Sequence, residues 1–160
     1  MDETRATAYA VWLLSQQARS EKQVGDRLAQ KGCDDATIAA VLERLRGWGY
    51  LNDPEFAERW VASRGKMRGR RALAFELRRK GIDPDEALAE RTTDDEVAAA
   101  RAAAARRVGE SPTDRSREAQ AKLAAFLQRR GFGWDAIRPV LRALYRDDAD
   151  DDAAAEEPGD

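Results

Sequence analysis

Residues 77–82 read Leu77-Arg78-Arg79-Lys80-Gly81-Ile82, and the same pattern stands at Leu28-Ala29-Gln30-Lys31-Gly32-Cys33 and at Leu127-Gln128-Arg129-Arg130-Gly131-Phe132. A leucine, two variable residues, a basic residue, a glycine and an apolar residue recur three times at a spacing of about fifty residues, the mark of an internal repeat. Each copy reads as the end of a helix. Basic side chains in the last turn complement the negative end of the helix dipole, and glycine supplies the left-handed conformation just beyond it. Cys33, at the place held by Ile82 and Phe132, is predicted to be a small core residue.

Working outward from these turns, Ile38, Val41, Leu42 and Leu45 follow the first glycine with the i, i+3, i+4, i+7 spacing of an amphipathic helix, and Ile137, Val140, Leu141 and Leu144 follow the third at the same offsets. The middle copy has Ala87, Glu90 and Arg91 there, so its last helix should be short or packed differently. Asp53-Pro54, Asp83-Pro84 and Ser111-Pro112 each look like an N-cap followed by proline at the first helical position. Ser20 with Gln23, and Thr93 with Glu96, have capping-box spacing. Helices are therefore predicted near 5–18, 21–31, 35–47, 54–67, 70–80, 84–91, 94–108, 112–130 and 135–146. Pro139 falls inside the last of these and points to a later start for it. No segment alternates with period two, and the expected fold class is all-α: three tandem three-helix repeats over 1–51, 52–91 and 92–146. Stacked in line, such repeats form an elongated, curved body suited to polymer partners. Residues 92–108 are dominated by alanine, which favours a helix that packs closely on little apolar area.

Composition narrows the chemistry. The chain has no histidine, the commonest general base and metal ligand, and no Walker-type loop or dinucleotide fingerprint. Asp/Glu pairs sit at predicted helix starts and on solvated faces, where capping explains them. No catalytic residue, metal site or cofactor is expected. Cys33 is the single cysteine, so no intramolecular disulfide or thiolate cluster can form, which fits a reducing cytoplasm. No stretch approaches the roughly 20 apolar residues that span a bilayer, so a membrane partner is not expected.

The formal net charge of −2 conceals an asymmetry. Of 30 acidic residues, eight fall in 147–160, which holds no basic residue; 28 basic against 22 acidic residues remain on 1–146, a balance of +6. The final segment reads as a disordered acidic tail, since the aspartates at 147–152 lack the ligand spacing and turn glycine of a calcium loop. The body is basic and suits an anionic partner. Its basic residues concentrate between Arg59 and Gly81, where nine cations face the single acid Glu76. Arginine makes forked contacts with phosphate and carboxylate, so Arg64, Lys66, Arg68, Arg70, Arg71 and Arg78 are the candidate anion-binding residues. Aromatic residues precede them. Phe56 and Trp60, one turn apart, suit core packing. Trp48 and Tyr50, in the connection between the first two repeats, either seal that joint or anchor a partner.

Over most of residues 8–145 the chain resembles the RecX family. The resemblance is carried by Leu13, Leu14 and Ser20, by Leu51, Asp53, Phe56 and Ala57, by Ser63 with Arg64, by Gly69, Arg71, Glu76, Leu77, Lys80, Gly81 and Ile82, and by Arg130, Gly131 and Phe132 followed by Ile137. It implies a protein of tandem three-helix repeats that lies in the groove of the RecA filament on single-stranded DNA, bridging protomers. It further implies inhibition of strand exchange, ATP hydrolysis and RecA-promoted repressor cleavage in the SOS response. Contact with the DNA phosphate backbone would be weak and without sequence preference, and the protein a monomer. The acidic tail and the degenerate last helix of the middle repeat depart from the family pattern. The alternative is a stand-alone DNA-binding transcriptional regulator that reads promoters with a three-helix unit.

Overall fold

The computed structural model describes residues 1–146; the segment 147–160, with its predicted disordered tail, lies outside the described residues. Among the described residues the regular structure is all helical: α1 (Glu3–Gln16), α2 (Glu21–Gln30), α3 (Asp35–Gly47), α4 (Asp53–Arg64), α5 (Arg70–Arg79), α6 (Asp85–Leu88), α7 (Thr93–Val108), α8 (Arg117–Arg129) and α9 (Trp134–Leu144). They form three repeats of three helices, and the last helix of the middle repeat is a single turn.

The repeated sequence pattern is a helix stop. Gly32, Gly81 and Gly131 have φ of 84°, 75° and 93°. Behind each, the apolar residue's N–H reaches back to the landmark leucine's carbonyl: Cys33 to Leu28 at 3.1 Å, Ile82 to Leu77 at 3.0 Å, Phe132 to Leu127 at 3.1 Å. The glycine N–H closes the inner bond, to Ala29, Arg78 and Gln128 respectively. This is the Schellman arrangement, which buries the leucine and the apolar residue together. Leu28, Leu77, Leu127 and Phe132 are fully buried, and Cys33 and Ile82 nearly so. A fourth such turn, Gly49 to Arg46 and Tyr50 to Leu45, ends α3. It escaped the pattern because Trp48 stands where the others have a basic residue.

Several predicted starts move. Helix α8 begins at Arg117, capped by Ser116 through Ala119 N at 3.1 Å, and Ser111-Pro112 belongs to the preceding connection. The capping box of α7 uses Thr92 and Asp95 rather than Thr93 and Glu96. Asn52, not Asp53, caps α4, which ends at Arg64. Asp83 accepts from Asp85 N in the turn before α6. Pro139 lies inside α9 on an exposed face, and that helix starts no later than Trp134.

The described residues form two compact units, Met1–Arg64 with Leu73–Glu90, and Gly65–Ala72 with the described residues from Arg91 on. In the first unit, Ala6, Ala10, Val24, Leu28, Val41 and Leu45 make one core; Leu77 with Ile82 and Leu73 with Leu88 pack around Trp60 and Val61. In the second, Ala99, Ala100, Ala103 and Ala104 of α7 lie against Leu123, Leu127, Phe132, Ile137 and Val140, the close packing that alanine permits.

One device recurs inside each unit. In the first, Ser20 donates its hydroxyl to the Lys80 carbonyl at 2.7 Å, and the Glu21 N–H donates to Asp53 Oδ1 at 3.0 Å. In the second, the Gly69 N–H donates to the Arg130 carbonyl at 2.8 Å, and the Arg70 N–H to Glu96 Oε1 at 2.7 Å. Counted back from the landmark leucines, Ser20 corresponds to Gly69 and Glu21 to Arg70. The N–H of the first residue of α2 and of α5, which has no partner within its own helix, is thus met by a carboxylate from the following repeat. A helix-end carbonyl of that repeat accepts from the residue before it, through the Ser20 hydroxyl in one clamp and the Gly69 N–H in the other. The second clamp explains why Gly65–Ala72 joins the unit of the third repeat.

Candidate functional site

The predicted basic cluster is divided between the two units: Arg64 and Arg78 belong to the first, Lys66, Arg68, Arg70 and Arg71 to the second. Arg68 is half-buried and the other five are exposed. The connection carrying Lys66 and Arg68 is held from beneath. Arg91 donates to the carbonyls of Gly65 at 3.1 Å and Arg68 at 2.8 Å, and pairs with Glu96 at 2.8 Å, both side chains only 9% exposed. The Arg70 guanidinium donates in turn to the Arg91 carbonyl. Sequence reasoning missed this scaffold. Its signal was Arg91 itself, a charge at a register position that is apolar in the other two repeats.

In the first unit a cleft of about 920 Å³ is lined by Val11, Leu14, Arg19, Tyr50, Arg64 and Lys80, with Phe56 and Trp60 among its other walls. Phe56 and Trp60 stack with centroids 6.0 Å apart, and the Trp60 indole N–H donates to Glu76 at 2.9 Å. The Arg64 guanidinium lies 4.7 Å from the Trp60 ring centre, and Lys80 Nζ lies 4.3 Å from it. Burial, then the charges of Arg64 and Arg79, hold the Lys80 ammonium below its ordinary pKa. Arg19 Nε is buried without a hydrogen-bond partner. The only acid of the lining, Glu55, is paired with Arg59. Phe56 and Trp60 thus act as packing residues, as expected, but they also hold two cations.

A smaller groove of about 330 Å³ in the second unit gathers Arg106, Arg107 and Arg130 around Phe126 and Met67. Arg107 lies 4.7 Å from the Phe126 ring centre. Trp48 and Tyr50 are 57% and 55% exposed and meet edge to face; Leu51, nearly fully buried, is the residue of their connection that enters the core. Among the described residues no group of three or more His, Cys, Asp or Glu could hold a metal ion, and no helix is long and apolar enough to cross a membrane.

Family models for the first, second and third three-helix domains of RecX match residues 6–45, 52–89 and 94–141. The Regulatory protein RecX of Mycobacterium sp. (strain KMS) is 38% identical over 153 residues, covering 87% of this chain and 81% of that relative. The chain belongs to the RecX family. Another RecX, from Bacillus velezensis, is 34% identical over 97% of this chain and 60% of its own length. The crystal structure of RecX from Lactobacillus salivarius aligns with a TM-score of 0.74 at 26% identity, over 89% of this chain and 96% of that one. RecX membership carries a regulatory role. Several residues that bear the family resemblance, Ser20, Asp53, Gly69, Lys80 and Arg130 among them, are those of the two backbone clamps.

Proposed function

We propose that this RecX family member is a non-catalytic, cytoplasmic negative regulator of RecA, acting as a monomer in the groove of the RecA filament on single-stranded DNA and needing no cofactor. The observation that carries the reading is the match of all three RecX three-helix domains, in order, to residues 6–141. Arg64, Lys66, Arg70, Arg71 and Arg78, exposed on helix ends and a braced connection, with Arg68 beside them, meet DNA phosphate or acidic protomer surfaces; Trp48 and Tyr50 serve as apolar anchors. Contacts of this kind act through charge and carry no base readout, so they weaken with added salt. Inhibition of ATP hydrolysis and of repressor cleavage follows from occupying the filament.

The experiment is a titration of the protein into RecA assembled on single-stranded DNA with ATP, following hydrolysis and co-sedimentation together. Hydrolysis should fall with added protein, and a variant carrying Arg64→Glu, Lys66→Glu, Arg71→Glu and Arg78→Glu should need much more protein for the same effect. Hydrolysis that stays level at saturating wild-type protein sinks the proposal.

A further inference from the structure

The cleft of the first unit concentrates positive charge that the protein does not neutralise. Arg19, Arg64 and Lys80 line it, and none of the three has a carboxylate partner among the described residues. Crowding like charges beside apolar walls is unfavourable in the free protein, and an incoming anion relieves it. The walls also select the kind of anion. Phe56 and Trp60 are engaged with each other and with the two cations above them, which leaves little open ring face for a nucleobase to stack on. What remains apolar is the half-buried Val11 and Leu14, together with the exposed Tyr50 at the rim, whose ring meets Trp48 edge to face. The volume suits a short chain segment rather than a single ion.

We propose that this cleft is a docking site for an acidic peptide segment with one bulky apolar side chain, its carboxylates meeting Arg19, Arg64 and Lys80 and its apolar group lying on Val11 and Leu14. The site is independent of the filament reading, although it shares Arg64 with it, because binding is read on the protein alone, without RecA or DNA.

The test uses the full chain at low salt and a synthetic peptide of aspartate and glutamate with one central phenylalanine, followed by calorimetry and by the NMR signal of the Trp60 indole N–H. The peptide should bind and shift that signal. Replacing its phenylalanine by serine should weaken binding by about tenfold or more, the loss of one buried aromatic side chain. Arg64→Gln with Lys80→Gln should weaken it by a similar factor of about ten, while Arg106→Gln with Arg107→Gln in the other unit leaves it unchanged. Failure of the wild-type protein to bind the peptide overturns the proposal, as does equal affinity for the serine peptide. Tighter binding of an oligothymidylate with the same Trp60 response would make the cleft a nucleic-acid site and overturn it too.

Discussion

Gly32 and Gly131 hold the same place in their repeats and similar backbone angles, yet a Cβ on Gly32 meets nothing within 4 Å while one on Gly131 falls 2.4 Å from Ala72 N. Gly32→Ala should cost about 1–2 kcal/mol, the strain of an L-residue in the left-handed region. Gly131→Ala adds a clash with backbone that cannot rotate away, about 1–3 kcal/mol more. Urea denaturation of the two variants compares them, and equal losses would show that the close approach of Gly131 to α5 is readily relieved. Lys80 offers a second test at this scale. Because burial and two neighbouring arginines depress its pKa, it sheds its proton at lower pH than an ordinary lysine. Affinity for an acidic ligand in the cleft should therefore fall as pH rises toward 10, before free lysines titrate, and Lys80→Arg should remove that fall while keeping the charge. A flat profile for both proteins would take Lys80 out of the site.

At the scale of elements, helix ends were more legible than helix starts. A C-terminal stop needs a glycine at one position with a leucine four residues before it, and the sequence holds that pattern four times, three of them with a basic residue before the glycine. Starts are ambiguous because serine, threonine, aspartate and asparagine cluster, and tertiary contacts choose among them. Glu96 could have closed a capping box with Thr93, but it is taken by Arg91 and by the Arg70 N–H, so Thr92 and Asp95 cap α7 instead. Glu96→Ala would leave the Arg91 guanidinium buried beside an empty space, a loss of about 3–5 kcal/mol. It should also speed tryptic cleavage after Lys66 and Arg68, in the connection whose Gly65 and Arg68 carbonyls Arg91 holds; unchanged cleavage and stability would show that the pair is dispensable. Aspartates at helix starts, two in caps and Asp114 in the turn before α8, contribute to the acid response. Hydrogen bonds from Thr37, Thr92 and Ser116 hold Asp34, Asp95 and Asp114 below their ordinary pKa, so the stability they add is complete above that value and is lost as pH falls through the lowered one. Thermal melting should hold steady down to about pH 5 and decline below about pH 4; a melting point insensitive to acid would remove these aspartates from the balance.

For the whole molecule the governing quantity is charge and where the fold puts it. Residues 1–146 carry +6 and residues 147–160 carry −8, so removing the latter turns a net −2 into +6. The shortened chain should bind single-stranded DNA more tightly by about tenfold at low ionic strength, with the gain shrinking toward 0.15 M salt or about one Debye length of 8 Å. Identical affinities for the two chains at low salt would show that net charge does not govern encounter. The run from Arg59 to Gly81 is continuous along the chain, but the fold assigns it to two units. Three cations from it, Arg59, Arg64 and Lys80, join Arg19, forty residues or more away in sequence, in a cleft that no linear pattern announces. All-helical class, three repeats and their stops were settled by the sequence alone, because periodic burial and a left-handed glycine are local demands that neighbouring residues meet. Which carboxylate caps which helix, where the compact units divide and which cations share a cleft depended on tertiary structure, because those pairings join residues far apart in the chain and exist only once the helices have packed.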